Sequence, residues 1–335
     1  MGDKRKLIYE ESSNAVNKIN KWYERKSKAI TIETIPYNST EIFKSIILKV
    51  INSGKNVLYI WGKDCENKEL LKKIKHDKKN LKYSYDKIVS NIDFINFNEC
   101  DDILGKYELA IIDDISHFSK LSKDELRRKY EIISQYAERV IIYNIERVIP
   151  TGEYFSLPSI FSTNHFVEPR FLTTRIDLSK DIPYSLYDYL KWFIENKQKV
   201  LMYVPDEDNL ALVCEYYANK LKLQNTKVTS LPKFNKNKKL RDVIKSQNQA
   251  MLIITDRIEE SYKDLAIGGA IVLFADSNKY NYKQFVYICG EIFRINTRFP
   301  EVLLVGKEVS YQMDEAKEIA RNFNIKIWES NYLEI

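Results

Sequence analysis

At 335 residues the chain exceeds what a single core ordinarily holds, and its 44% hydrophobic and 13% aromatic content is enough to bury two cores, which excludes general disorder. Its 53 lysines and arginines exceed 47 acids by only six charges, but the bases are clumped: Lys4, Arg5 and Lys6; Lys72, Lys73, Lys75, Lys78 and Lys79; Lys233, Lys236, Lys238, Lys239 and Arg241. Such clumps suit either a polyanion or solvated helix faces. Cys65, Cys100, Cys214 and Cys289 lie far apart and form no C-x-x-C pair, so neither a zinc ribbon nor a disulfide framework is indicated and reduced thiols are expected; His76, His117 and His165 are scattered and read as surface or satisfied positions rather than metal ligands or catalytic groups. No apolar run approaches the roughly 20 residues of a membrane span, so the expected location is the cytoplasm.

In chain order, Lys6 to Lys28 carries Leu7, Ile8, Val16, Ile19, Trp22 and Tyr23 among charges and predicts an amphipathic helix packed on the first domain. Strands are expected at Val57 to Trp61, Leu109 to Asp113 and Arg139 to Tyr143, with helices at Thr40 to Asn52, Asn67 to Lys75 and Lys123 to Tyr136. Strand and helix alternate, as in parallel strands joined by crossover helices. Pro150, Gly152, Pro158, Pro169 and Pro183 then break the rhythm and predict a connection.

The alternation restarts with strands at Val200 to Val204, Lys227 to Ser230, Met251 to Thr255, Ala270 to Ala275 and Glu301 to Val305. Helices are expected at Asn209 to Leu221, Lys239 to Ser246, Tyr282 to Ile295 and Ser310 to Asn322. The expected organisation is a helical N-terminal extension (1–30), a first α/β domain (31–150), a connection (151–183) and a second α/β domain (184–335). A cleft between two such domains could take a ligand.

Leu109-Ala110-Ile111-Ile112-Asp113-Asp114 reads as a buried strand ending in paired acids, the pattern of a magnesium-binding strand in a P-loop ATPase, and equally as a plain turn or cap. No G-x-x-x-x-G-K-[ST] occurs, and the chain has only 9 glycines with which backbone amides could close around phosphates. Pro36-Tyr37-Asn38-Ser39-Thr40-Glu41 leads into a helix, a Gly54-Lys55 turn and a strand. That order resembles the nucleotide loop of superfamily-two helicases, and most closely the ComFA late-competence DNA translocase family, over roughly residues 30 to 328.

The resemblance implies two tandem RecA-like domains of the P-loop NTPase fold. It places Ser39 where the family has its phosphate-binding lysine and Thr40 where a hydroxyl meets the metal, both vestigial nucleotide-binding positions. Asp113 would be the metal-facing acid and Asp114 would stand in, one bond short, for the glutamate that polarises water. Arg294, in Phe285 to Arg294, matches the arginine finger, with a surface helix arginine as the other reading. Glu291 replaces the family's first arginine in that helix and would repel a γ-phosphate. Lys63 follows Gly62 where the family's proline-arginine strand end touches single-stranded DNA, or is a plain turn lysine. The family's zinc-binding cysteines have no counterpart.

With glycines and lysine lost from the loop, a triphosphate lacks its cradle. The expectation is a degenerate, non-hydrolysing helicase fold that binds DNA or serves as a scaffold in DNA uptake or processing, with no cofactor and no metal. Its partners would be DNA, single-stranded by resemblance, and a competence or helicase protein. Phosphate contacts would come from Lys63, Lys72, Lys73, Lys75, Lys236, Lys238 and Lys239. The alternatives are an active translocase using ATP and magnesium, and a protein-interaction module that touches no nucleic acid.

Overall fold

Dense runs of aliphatic residues that are apolar on both faces form parallel strands between helices, and here they build two sheets. The structure is a computed structural model that describes residues 2–76, 83–221, 223–231, 242, 244–245, 249–258, 262–295 and 300–329. One compact unit comprises Met1–His165 with Ile325–Ile335, and the other Phe166–Asn324.

The first unit holds α1 (Gly2–Glu24), β1 (Ala29–Thr34), a 3₁₀ turn (Thr40–Phe43), α2 (Lys44–Asn52), β2 (Val57–Trp61), α3 (Lys68–Lys75) and α4 (Tyr85–Val89). It continues with β3 (Ile92–Asn96), a second 3₁₀ turn (Phe97–Asp102), β4 (Tyr107–Asp113), α5 (Lys123–Tyr136), β5 (Ala137–Asn144) and β6 (Glu153–Leu157). Its strands are all parallel in the order β3-β2-β4-β5-β1-β6. Local chemistry fixes the helix starts: Asn67 caps α3 by accepting from Leu70 N at 3.1 Å, and Ser122 and Glu125 form a reciprocal capping box on α5.

The second unit holds β7 (Arg170–Thr173), α6 (Tyr184–Glu195), β8 (Lys199–Tyr203), α7 (Glu207–Glu215), β9 (Thr226–Leu231), β10 (Ala250–Thr255) and β11 (Ile267–Leu273). It ends with α8 (Tyr282–Ile295), β12 (Glu301–Gly306) and most of α9 (Tyr311–Glu329). Its sheet is also parallel, in the order β7-β12-β11-β8-β10-β9. The helix expected at Lys239 to Ser246 lies largely outside the described residues. None of the described helices is long and apolar enough to cross a membrane.

Strands β1 and β3 and helices α4 and α6 are not among the expected elements, and the expected connection proves to contribute to both sheets. The stretch 151–183 is more than a connection, because β6 pairs with β1 at one edge of the first sheet and β7 pairs with β12 at one edge of the second. The N-terminal helix packs on the first unit, as its amphipathic pattern predicts: Ala15, Ile19 and Trp22 are buried, and the Tyr23 hydroxyl donates to Glu108 Oε1 at 3.0 Å. Glu108 also takes Lys55 and Arg139, so one carboxylate ties α1 to the start of β4 and β5.

Candidate functional site

In the first sheet β5 lies between β1 and β4. All strands of this parallel sheet present their carboxyl ends at one edge, which is where open α/β sheets bind ligands. Ser39, Thr40, Asp113 and Asp114 all fall on this edge.

The loop after β1 is folded on itself. Tyr37 N donates to Ile115 O at 3.1 Å, Asn38 N to Ile35 O at 3.4 Å and Ser39 N to its neighbour's Asn38 Oδ1 at 3.0 Å. Tyr37 takes a left-handed φ of 62° to make the bend, in a place where a phosphate-binding loop would use glycine. Asn38 is buried and fills the loop: its Nδ2 donates to Thr34 Oγ1 at 2.7 Å and Pro158 O at 2.9 Å, and its Oδ1 also accepts from Ile160 N at 3.1 Å. Ser39 Oγ accepts from Glu41 N at 3.2 Å, capping the turn that begins at buried Thr40. Successive amides that could hold phosphate oxygens therefore already have protein acceptors.

Asp113, the last residue of β4, is fully buried. Its Oδ1 accepts from Ile115 N at 3.0 Å and Ser116 N at 2.9 Å, its Oδ2 accepts from the Tyr59 hydroxyl, and the Ser116 hydroxyl adds another bond. These donors fill the roughly four acceptor directions of a carboxylate. Burial pushes the Asp113 pKa up, opposed by those hydrogen bonds. Asp114 is equally buried; its N donates to Tyr143 O at 3.0 Å and its Oδ1 accepts from Ser119 Oγ at 2.5 Å.

Two tyrosines complete the closure. Tyr143 lies beside Asp113 in the β4/β5 register, its hydroxyl donates to Ser39 O at 3.2 Å, and its ring meets Phe43 edge-on at 5.0 Å. Tyr59 bonds Asp113 and accepts from Asn67 Nδ2 at 3.2 Å, which links the site to the cap of α3. A triphosphate with its divalent ion would have to displace these partners. Among the described residues, no cluster of three histidine, cysteine or acidic side chains could hold a metal ion elsewhere.

Burial, and then the nearby Asp113 charge, push both tyrosine pKa values well above the ordinary 10. A raised folded-state value means that the stabilisation is complete below the unfolded value and is lost as pH climbs through the folded one. The first unit should therefore weaken above pH 10, with the tyrosinate absorbance of these two residues growing in only as the unit unfolds. Smooth ionisation well before unfolding would contradict their sealed position.

Arg294 lies in the second unit, near the end of α8. It is neither a surface arginine nor unoccupied: its side chain is 16% exposed and ion-paired with Glu291, one turn earlier. Glu291 is buried and also accepts from Tyr262 N at 2.6 Å, with a pKa raised by burial and held back by Arg294. The acid expected to repel phosphate instead anchors the loop before β11 and holds the arginine.

Lys63 is exposed, 5.6 Å from the Trp61 ring, directly after Gly62, where a Cβ would approach His117 Cδ2 to 3.0 Å. Lys72, Lys73 and Lys75 all sit on the exposed side of α3, whose other side buries Leu70, Leu71 and Ile74. Lys73 pairs with Glu41 at 2.9 Å, and Lys75 lies 5.2 Å from the Tyr85 ring. Lys236, Lys238 and Lys239 lie outside the described residues.

Sequence reasoning missed Tyr59, Tyr143, Asn38 and Asn67. The available signal was a hydroxyl-bearing side chain inside each of two strands buried on both faces, since a buried tyrosine hydroxyl needs a partner.

No protein-family model and no curated protein matches the sequence. Solved structures do match. RecG bound to a three-way DNA junction aligns with a TM-score of 0.52 at 9% identity, covering 95% of this chain and 46% of that one. The Escherichia coli DEAH/RHA helicase HrpB aligns at 0.52 and 9%, covering 92% and 43%. Mss116p bound to ssRNA and AMP-PNP aligns at 0.54 and 11%, covering 92% and 74%. The chain thus spans less than half the length of the first two. At these identities the likeness concerns the fold: two tandem RecA-like domains, as in superfamily-two helicases, with a helix at the N-terminus.

Proposed function

We propose that this protein is a non-hydrolysing relative of the superfamily-two helicases that holds single-stranded nucleic acid or a partner protein in DNA uptake or processing. The observation that carries the reading is the closed network of Asn38, Ser39, Tyr59, Asp113 and Tyr143, which spends on the protein itself the groups that nucleotide hydrolysis would need. The nucleic-acid part is supported by the exposed lysines of α3 and by Lys63. It is further supported by analogy with RecG and Mss116p, matched with DNA and RNA bound respectively. The assignment to competence rests on the sequence resemblance to the ComFA family.

The test is calorimetric titration with ATP and magnesium, with and without single-stranded DNA, alongside phosphate release. The expected result is no saturable heat and no released phosphate. One observation favours a second reading, an active translocase: α1 and α2 border a cleft of about 750 Å³ reached by Ser39, Glu41 and Lys44. Micromolar ATP binding would overturn the first reading in favour of that one, with Thr40, Asp113, Asp114 and Arg294 as the residues to substitute.

A further inference from the structure

The first sheet ends at β3, and no strand among the described residues pairs with its outer side. An exposed edge of this kind is a template for strand addition unless it is blunted. Along it runs an open groove of about 660 Å³ whose described lining includes Glu66, Asp93, Glu99 and Asp102 and no lysine, arginine or histidine. In a chain with more bases than acids, such a one-sided lining is a local departure. The nearest base along the chain, Lys106, is turned away: it donates to Gln135 O at 2.7 Å and lies 5.6 Å from the Tyr136 ring.

The acids do not all have structural work within the groove. Asp93 Oδ2 accepts from the Tyr107 hydroxyl at 2.7 Å and Glu99 Oε2 accepts from Asn96 N at 3.0 Å, while Glu66 and Asp102 are exposed. Beside them stands Leu104, 88% exposed and the most exposed large hydrophobic side chain among the described residues. Its place is set: the Tyr107 hydroxyl contacts Leu104 O at 3.2 Å, and Gly105 takes a φ of 109° that turns the chain behind it. A leucine held in water at the rim of an acidic groove matches a partner that is both basic and aliphatic.

We propose that this edge receives an extended segment of a partner protein. The segment pairs along β3, sets lysine or arginine side chains against the four carboxylates, and rests an aliphatic side chain on Leu104. Main-chain bonds to the edge supply affinity and alternate side chains supply selectivity. A second copy of this edge is a poor occupant, because it would bring like charges face to face, and nucleic acid is repelled for the same reason. The inference does not depend on the nucleotide or nucleic-acid reading.

The test is fluorescence anisotropy of the full chain with a short fluorescein-labelled peptide of alternating lysine and valine, and with a glutamate–valine counterpart. The lysine peptide should bind saturably and the glutamate peptide should not. Glu66→Lys with Asp102→Lys should weaken binding at least about tenfold. Leu104→Asp adds an acid yet should also weaken it, whereas diffuse charge attraction would be strengthened. All three positions are exposed, so circular dichroism should stay unchanged. Absence of saturable binding, unchanged affinity in the double variant, or equal or tighter binding to Leu104→Asp would each overturn the proposal.

Discussion

Replacing Asp113 with alanine is expected to destabilise the first unit by about 3–5 kcal/mol, the cost of removing one member of a buried, hydrogen-bonded network. The substitution strands Ile115 N, Ser116 N and the Tyr59 hydroxyl around a fully buried position. Each buried donor left without an acceptor costs about 1–3 kcal/mol, reduced where water or local movement can replace the lost partner. Asp113→Asn keeps the shape and one acceptor oxygen, so its cost should be smaller, about 1–2 kcal/mol. An acid retained to hold a metal behaves in the opposite way, because removing a functional charge from a site commonly leaves stability unchanged or raises it. The measurement is urea unfolding of the full chain, with the transition of the first unit assigned by hydrogen exchange on β4 and β5 peptides. Midpoints unchanged in both variants would mean that the carboxylate is not a structural acceptor.

Which parts of this fold could be read in the sequence depends on how strongly each segment is buried. Strands β2, β4, β5, β8, β10 and β12 are continuous apolar runs because helices cover both faces, and each stands within a few residues of its expected place. Helices Lys123–Tyr136 and Tyr282–Ile295 have the expected bounds. The strands that escaped notice carry a weaker signal. Ala29–Thr34 interleaves isoleucine with threonine and glutamate, Ile92–Asn96 is a short edge strand carrying Asp93 and Asn96, and Glu153–Leu157 and Arg170–Thr173 are short edge strands in a stretch punctuated by prolines.

The site was legible in its acids and hidden in its neighbours. Asp113 and Asp114 announce themselves as charges at the end of an apolar strand, but whether their oxygens face solvent or protein is decided by residues far away in sequence. Tyr59 reaches Asp113 from a neighbouring strand and Tyr143 reaches Ser39 across more than a hundred residues. Composition registers such tyrosines as core aromatics, and only the β4/β5 register sets Tyr143 beside Asp113. The partners of Glu291 were hidden for a related reason: a charge in a helix gives no sign of what it meets, and burial beside Arg294 and the Tyr262 amide makes it an acceptor.

Reversing Lys72, Lys73 and Lys75 together to glutamate is expected to lower affinity for single-stranded DNA by more than about a hundredfold, taking up to about 1 kcal/mol for each exposed phosphate contact and adding repulsion where attraction stood. The fold should survive the change. All three side chains are exposed, α3 is anchored by Leu70, Leu71 and Ile74, and glutamate forms helix about as well as lysine, although three acids in the last turns oppose the helix dipole slightly. The Lys73 pair with Glu41 and the Lys75 contact with Tyr85 are solvent-exposed and so yield to a phosphate at little cost. Three single-strand phosphate contacts correspond to a slope of about −2 in log affinity against log salt, and that much of the slope should vanish in the variant. A partner protein seated on apolar surface would show no comparable slope and no such loss. Equal retention and an equal slope in the wild type and the triple variant would remove α3 from the nucleic-acid surface and leave Lys63, Lys236, Lys238 and Lys239 as the contacts to test.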